Sequence, residues 1–342
     1  MRLLYCLLLL AWSFPVVAES CAAPADIDGL GIGLYIDQDM FVPGTNEDRD
    51  YTMGLGVEVF HDRGSLLLYR DILDLVEPMV GFDRACGRVY ESYQFGAVAF
   101  TPDDIGNPAP IHDDRPYASL LYLSNKKVVA DDDSVLGVEL MLGAIGLNVA
   151  RNVQTALHGW TRDQFDRDEP LDPEGWEHQV SDGGEPTLRL RLTGGSLLAE
   201  GYGWDVARNW EANLGFQTNV AVGLSGRVGA QRGPFWSTPH DPINRGSFVP
   251  SPRRKQLYAW AAGRLRAVGY DALLQGQFRD SEVTVAASDM RRLVWEGAVG
   301  VTAGLPGFQA TLAINAKAGD TRLPLAPDDH VWGGIYFSWW HD

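Results

Sequence analysis

The run Tyr51-Thr52-Met53-Gly54-Leu55-Gly56-Val57-Glu58-Val59-Phe60-His61 decides the fold class. Apolar Met53, Leu55, Val57 and Val59 alternate with small or polar Gly54, Gly56 and Glu58, a period of two that only a strand displays on two faces. The run is also long. A tilted strand needs about 9–11 residues to cross a bilayer, whereas strands of soluble domains average about 5–6. Comparable alternating, Gly- and aromatic-rich runs recur at Leu30 to Phe41, Val89 to Phe100, Tyr117 to Lys127, Val135 to Gly146, Thr187 to Leu198 and Gln256 to Val268. They continue at Tyr270 to Phe278, Leu293 to Ala303, Phe308 to Ala318 and Val331 to Trp340, and Trp204 to Gly229 adds one or two more. The total is twelve or thirteen, and closure of a single-chain bacterial barrel favours an even number.

The predicted fold is therefore all-β: a transmembrane antiparallel barrel of about twelve strands, with short helices in the extracellular loops. Tyr90, Tyr93 and Phe95, then Tyr336, Phe337, Trp339 and Trp340, fall where interfacial girdles are expected. The chain runs on to His341 and Asp342, so Trp340 is expected to serve as the terminal aromatic of the last strand.

Composition narrows the function classes. The chain has 342 residues, 38 of them Gly, and 45 acids against 28 bases give a net charge of −17. Such a chain offers no basic face to phosphate backbones, so nucleic acid is excluded as a partner, while acidic groups can recruit divalent cations. Mean hydropathy is −0.13 and the mature region has no 18-residue apolar run, which excludes a helical membrane protein and leaves a β-barrel open. Gly31-Ile32-Gly33 lies in a strand run with no helix pattern after it, so a dinucleotide fingerprint is not made.

Arg2, the apolar Leu3 to Trp12 and the small-residue Val16-Val17-Ala18 read as a secretory signal peptide over 1–18, leaving 19–342 as one barrel domain. Cys6 leaves with the signal. Cys21 and Cys86 remain in an oxidising compartment, as a candidate disulfide or as two free thiols.

Three segments break the strand pattern. Residues 62–87 contain an apolar spacing that suits a short surface helix, and residues 101–116 form a Pro- and Asp-rich loop. In Leu147 to Trp160, Gln154 and His158 stand four apart and share a face of any helix there. Polar constellations accompany them. Asp37-Gln38-Asp39 and Asp50-Tyr51-Thr52 can face each other across a hairpin, where carboxylates beside a hydroxyl suit histidine orientation or cation binding. Asp114-Arg115-Pro116-Tyr117-Ala118 ends a long loop and supplies a guanidinium that can grip a carboxylate or a phosphate. His158 suits a general base near neutral pH.

Taken in order, these blocks, with Thr101-Pro102 and Gly175-Trp176-Glu177-His178-Gln179, resemble the lipid A deacylase LpxR family over roughly residues 30–340. The resemblance implies a twelve-stranded outer-membrane barrel that removes the 3′-linked acyloxyacyl group of lipid A in the outer leaflet, with calcium required. It places the active site on His158, Asp39 and Thr52, with Asp39 and Gln38 toward the metal and Gln38, Arg115, Tyr117 and Gln154 toward the substrate. His158 would act on a water and a cation would stabilise the ester oxyanion, while a covalent route through Thr52 stays open. Lipid A or lipopolysaccharide, outer-membrane lipids and a monomeric state are the expected associations.

The chain departs from the family pattern at three places. Gln38 stands where the family has Asn, a difference that moves a ligand by about 1 Å. Met53 replaces an Asn, and no lysine lies between Thr101 and Asp114. The alternatives are a lipid esterase with another substrate, a porin-like or structural barrel, and a secreted soluble β-protein. A porin needs no cluster of Asp39, Thr52 and His158, and a cluster facing lipid rather than lumen argues against one.

Overall fold

A computed structural model describes residues 30–42, 50–61, 72, 88–165, 172–230, 233–237, 255–326 and 329–341. Twelve strands close into one antiparallel barrel in sequence order. They are β1 Leu30–Gln38, β2 Asp50–His61, β3 Arg88–Thr101, β4 Ala118–Ala130, β5 Ser134–Ile145 and β6 Glu185–Gly201. Then come β7 Trp204–Gly215, β8 Gln217–Ala230, β9 Gln256–Asp271, β10 Leu293–Leu305, β11 Phe308–Ala318 and β12 Asp329–His341. Two helices, α1 Val149–Phe165 and α2 Ala272–Gln275, sit in connections at one rim. β1 closes on β12 from Leu30↔His341 to Gln38↔Gly333, so both ends of the barrel chain share the opposite rim.

Side chains sort by parity. On β2, Leu55, Val57 and Val59 are exposed on the outside while Gly54, Gly56, Glu58 and Phe60 are buried within; Val220, Val222 and Leu224 extend the outer apolar belt on β8. The lumen is packed with charge-paired side chains. Glu211 accepts from Arg191 at 2.7 Å and from Arg266 at 2.6 Å, Arg266 reaches Glu296 at 3.0 Å, and Arg191 lies 3.4 Å from Glu139. Glycine rows make space for large rings: a Cβ on Gly54 would lie 1.9 Å from the Tyr51 hydroxyl, and one on Gly56 2.2 Å from the Tyr35 ring.

Several expectations are corrected. Leu30 to Phe41 is not one strand, because β1 ends at Gln38 and Asp39–Phe41 forms a 3-10 turn. Tyr270 to Phe278 is not a strand: the Asp271 side chain caps Leu273 N at 3.0 Å and starts α2, whose Ala272, Leu273 and Leu274 are buried beneath the rim. Trp204 to Gly229 resolves into two strands joined at Gly215 and Phe216; a Cβ on Gly215 (φ +134°) would strike Leu188 O at 2.2 Å. The even total of twelve follows from these two changes. Of the expected girdle residues, Tyr93, Phe95 and Trp339 face outward, whereas Tyr90 and Tyr336 are buried. Trp340 packs on the buried Phe60 at 5.4 Å, so Trp339 supplies the outward aromatic of the last strand. The signal segment, Cys21 and Cys86 lie outside the described residues. So does most of the helix expected in 62–87, of which only Ile72 is described, in helical conformation.

Candidate active site

The site begins with a broken register. Tyr51 pairs with Phe100 and Met53 with Ala99, which leaves Thr52 as the extra residue of a β-bulge. A bulge puts neighbouring side chains on one side of the sheet and re-aims them. Tyr51 keeps to the lumen, where its hydroxyl donates to Asp37 Oδ2 at 2.9 Å, and Tyr336 donates to Asp37 Oδ1 at 3.2 Å. Thr52 turns the other way. Its hydroxyl lies 2.7 Å from that of Thr101, which follows the inward Phe100 and so belongs to the outward row of β3.

That outward row is covered at its upper end. Met53 and Ala99 continue the lipid-facing rows of Leu55, Val57 and Phe95, yet Ala99 is buried, in a cluster with Tyr117, Ala150 and Trp176. Ala150 belongs to α1, so this helix lies against the outer wall of β2 and β3. Among its described side chains the buried positions are Ala150, Gln154 and His158, one per turn, while Val149, Arg151, Asn152, Val153, Thr155, Ala156 and Leu157 are exposed. The face shared by Gln154 and His158 is thus the face pressed toward the barrel, as their four-residue spacing predicts.

Residues 172–184 anchor this arrangement. Gly175 adopts φ +86°, and a Cβ there would lie 2.8 Å from Asn107 O, so glycine is required. The turn drives Trp176 fully into the cluster, its ring 4.7 Å from that of Tyr117, whose hydroxyl donates to Ile105 O at 3.0 Å. Trp176 Nε1 donates to Gln154 Oε1 at 3.0 Å. Because indole N–H is a donor only, this bond fixes which end of the amide is oxygen. Gln154 Nε2 is buried and has no hydrogen-bond partner among the described residues. Gln179 accepts from Ser119 at 3.0 Å and donates to Asn148 at 3.3 Å, tying the barrel rim to the start of α1.

Gln38 is the outward residue at the end of β1, in register with Met53, and its Nε2 donates to Asp39 Oδ1 at 3.3 Å. Asp39 is 1% exposed. Both are hard oxygen donors of the kind calcium takes. Among the described residues there is no group of three or more His, Cys, Asp or Glu that could hold a metal ion.

Arg115 is placed differently. Its guanidinium is buried 2.6 Å from Asp320 and 3.4 Å from Asp50, and it lies 4.1 Å over the Phe100 ring on the lumen side. Burial favours the neutral form of Asp320, but Lys317 and Arg115 outweigh it and hold this carboxyl well below the usual range. Asp114 folds the loop by accepting from Asp103 N at 2.8 Å and Arg115 N at 2.6 Å. Sequence reasoning missed Asp320, which no motif marks, and the anchoring roles of Asp37, Trp176 and Gln179. The last two stood inside the Gly-Trp-x-x-Gln block, a signal for position and not for contact.

A closed antiparallel barrel with an apolar outer belt and a lumen packed with paired charges is an outer-membrane barrel. The model of the family described as outer membrane protein LpxR matches residues 3–341, and the chain belongs to this family. Among solved structures, LpxR from Salmonella typhimurium superposes with a TM-score of 0.68 at 14% identity, covering 90% of this chain and 99% of that one. An outer-membrane channel from Pseudomonas putida F1 gives a TM-score of 0.45 at 12% identity, with 96% and 100% coverage. None of the curated proteins matches the chain.

Proposed function

We propose that this protein is an outer-membrane lipid A deacylase that hydrolyses the 3′-linked acyloxyacyl ester, its active site facing the outer leaflet. The observation that carries the reading is the position of Gln154 and His158, on the face of α1 turned to the outer wall, at the top of the lipid belt. A substrate held in a leaflet reaches an outer wall and not a filled lumen.

His158 acts as general base: it takes a proton from a water, whose oxygen attacks the ester carbonyl. The electron pair displaced onto the carbonyl oxygen is met by the Gln154 amide N–H, oriented in advance by Trp176. Collapse breaks the bond to the sugar oxygen, which recovers the proton from His158, releasing the acyloxyacyl acid and a free hydroxyl. Thr52, fixed by Thr101, orients the water or the ester without becoming acylated. Tyr117 shapes the wall beneath Trp176. Asp39 and Gln38 would hold calcium, which when bound adds positive charge beside the developing oxyanion. Arg115, committed to Asp50 and Asp320, acts on this site by fixing the β2 and β4 ends of the rim.

Mass spectrometry of lipid A from cells expressing the chain, with calcium or chelator and beside His158→Ala, tests this. Loss of one acyloxyacyl mass that requires both His158 and calcium is expected. Unchanged lipid A in every condition, with the barrel folded in the outer membrane, overturns the substrate assignment.

A further inference from the structure

Val149, Val153, Leu157 and Trp160 form a second line along α1, spaced four, four and three residues apart and exposed by 44, 41, 43 and 58%. Each of the first three precedes a member of the buried line Ala150, Gln154 and His158, so the apolar line lies about 100° around the helix from the catalytic one. Isolated exposed apolar residues are ordinary, whereas four in one row make a continuous apolar surface. The other flank is polar, with Arg151 and Thr155.

The neighbourhood identifies the occupant. The inner face of α1 sits on Met53 and Ala99, the upper members of rows whose lower members, Leu55, Val57 and Phe95, face hydrocarbon. The apolar line therefore continues the lipid-facing surface upward. It spans about 16 Å at 1.5 Å per residue, close to half of the ~30 Å hydrocarbon core and so to the reach of one leaflet's chain. Beside it, buried Gln154 Nε2 awaits an acceptor.

We propose that Val149, Val153, Leu157 and Trp160 form a rail that binds the hydrocarbon of the acyl chain being removed, while its ester faces Gln154 and His158. This rests on the deacylase reading and adds the subsite that selects the chain. The polar flank keeps the sugar side of the substrate on the opposite side of the helix.

The test places a benzophenone amino acid at Leu157, Val153 or Thr155 in the His158→Ala background, in cells, with folding checked by heat-modifiable gel mobility. The expected result is a photo-adduct at Leu157 and Val153, mapped by mass spectrometry to an acyl carbon of lipid A, and none at Thr155. Adducts to phospholipid alone, to a second copy of the chain, or equally from all three positions overturn the rail. In otherwise native protein, Val153→Asn with Leu157→Asn should lower kcat/KM at least about tenfold through KM, because the acyl chain then buries less apolar surface on the helix. If native protein leaves lipid A intact, the deacylase reading fails by itself. If it deacylates and the double variant matches it, the rail alone fails.

Discussion

Replacing Gln154 by Glu is the sharpest probe of the site, because it separates two roles of one side chain. The bond from Trp176 Nε1 at 3.0 Å requires an oxygen at the position of Gln154 Oε1, and a Glu supplies one at the same place with the same volume. Packing around the fully buried Trp176 should therefore persist. The second terminus changes character: an N–H donor becomes an oxygen aimed at the place where negative charge develops. Losing one oxyanion donor costs about 10²–10³ in kcat, or about 2.7–4 kcal/mol. Gln154→Glu should reach at least the lower figure, and protonation of the new carboxyl restores a donor, so the loss should deepen as pH rises. Gln154→Ala makes the contrast. It removes the donor and leaves the Trp176 N–H unpaired in the cluster, adding about 1–3 kcal/mol of destabilisation. Rates are read by mass spectrometry of lipid A in mixed micelles, and folding by heat-modifiable mobility. A Gln154→Glu barrel that keeps its rate within about threefold refutes the donor role, since its amide would then be only a prop for Trp176.

Three other outcomes are expected. Arg266→Met removes one of the two guanidinium groups, with Arg264, that bridge the buried Glu211 and Glu296, and should destabilise the barrel by about 1.5–3 kcal/mol, seen as a lower transition in heat-modifiable gels. Asp39→Ala should raise the calcium needed for half-maximal rate by about tenfold or more, and Gln38→Asn should lower it; equal requirements in all three proteins would remove both residues from the metal. His178 joins three loops, its ring nitrogens 2.7 Å from Glu282 and 3.0 Å from Pro108 O, with Glu177 beside it. Burial opposes protonation there, but the bonds to Glu282 and the Pro108 carbonyl outweigh it and raise the pKa. The tie is thus complete below the ordinary value of about 6.5 and lost as pH rises through the raised one. Protease nicking of loops 102–117 and 272–292 should increase as pH rises above about 6.5, and His178→Gln should abolish that dependence.

Strand periodicity made the barrel legible because two environments, lipid and lumen, write two interleaved residue sets, as in Met53 to Phe60. The helical spacing of Gln154 and His158 was legible for the same reason: one buried line per turn. Periodicity fails where a residue is inserted. Thr52 occupies an even position in a run whose other even members face the lumen, and only the bulge places its hydroxyl beside Thr101 outside. Tyr270 to Phe278 misled because Leu273 and Leu274 look like strand residues until the Asp271 cap is seen. Arg115 looked like a phosphate ligand because its pairing partner Asp320 lies 205 residues away, beyond any local pattern.

The bulge also explains how one rim carries two chemistries without conflict. At Tyr51 and Asp37 the chain serves the lumen, where paired hydroxyls, carboxylates and guanidinium groups hold the barrel closed. One residue later the same strand presents Thr52 and Met53 to the lipid side. In unbroken alternation the even position of Thr52 would point into the lumen, and the outer wall under α1 would lack its hydroxyl. Deleting Thr52 while keeping every other residue should then restore regular β2–β3 pairing and leave a folded barrel. Its rate should fall at least as far as that of Thr52→Val, whereas a barrel that still deacylates at the native rate would show that the hydroxyl's outward position is not what the site uses.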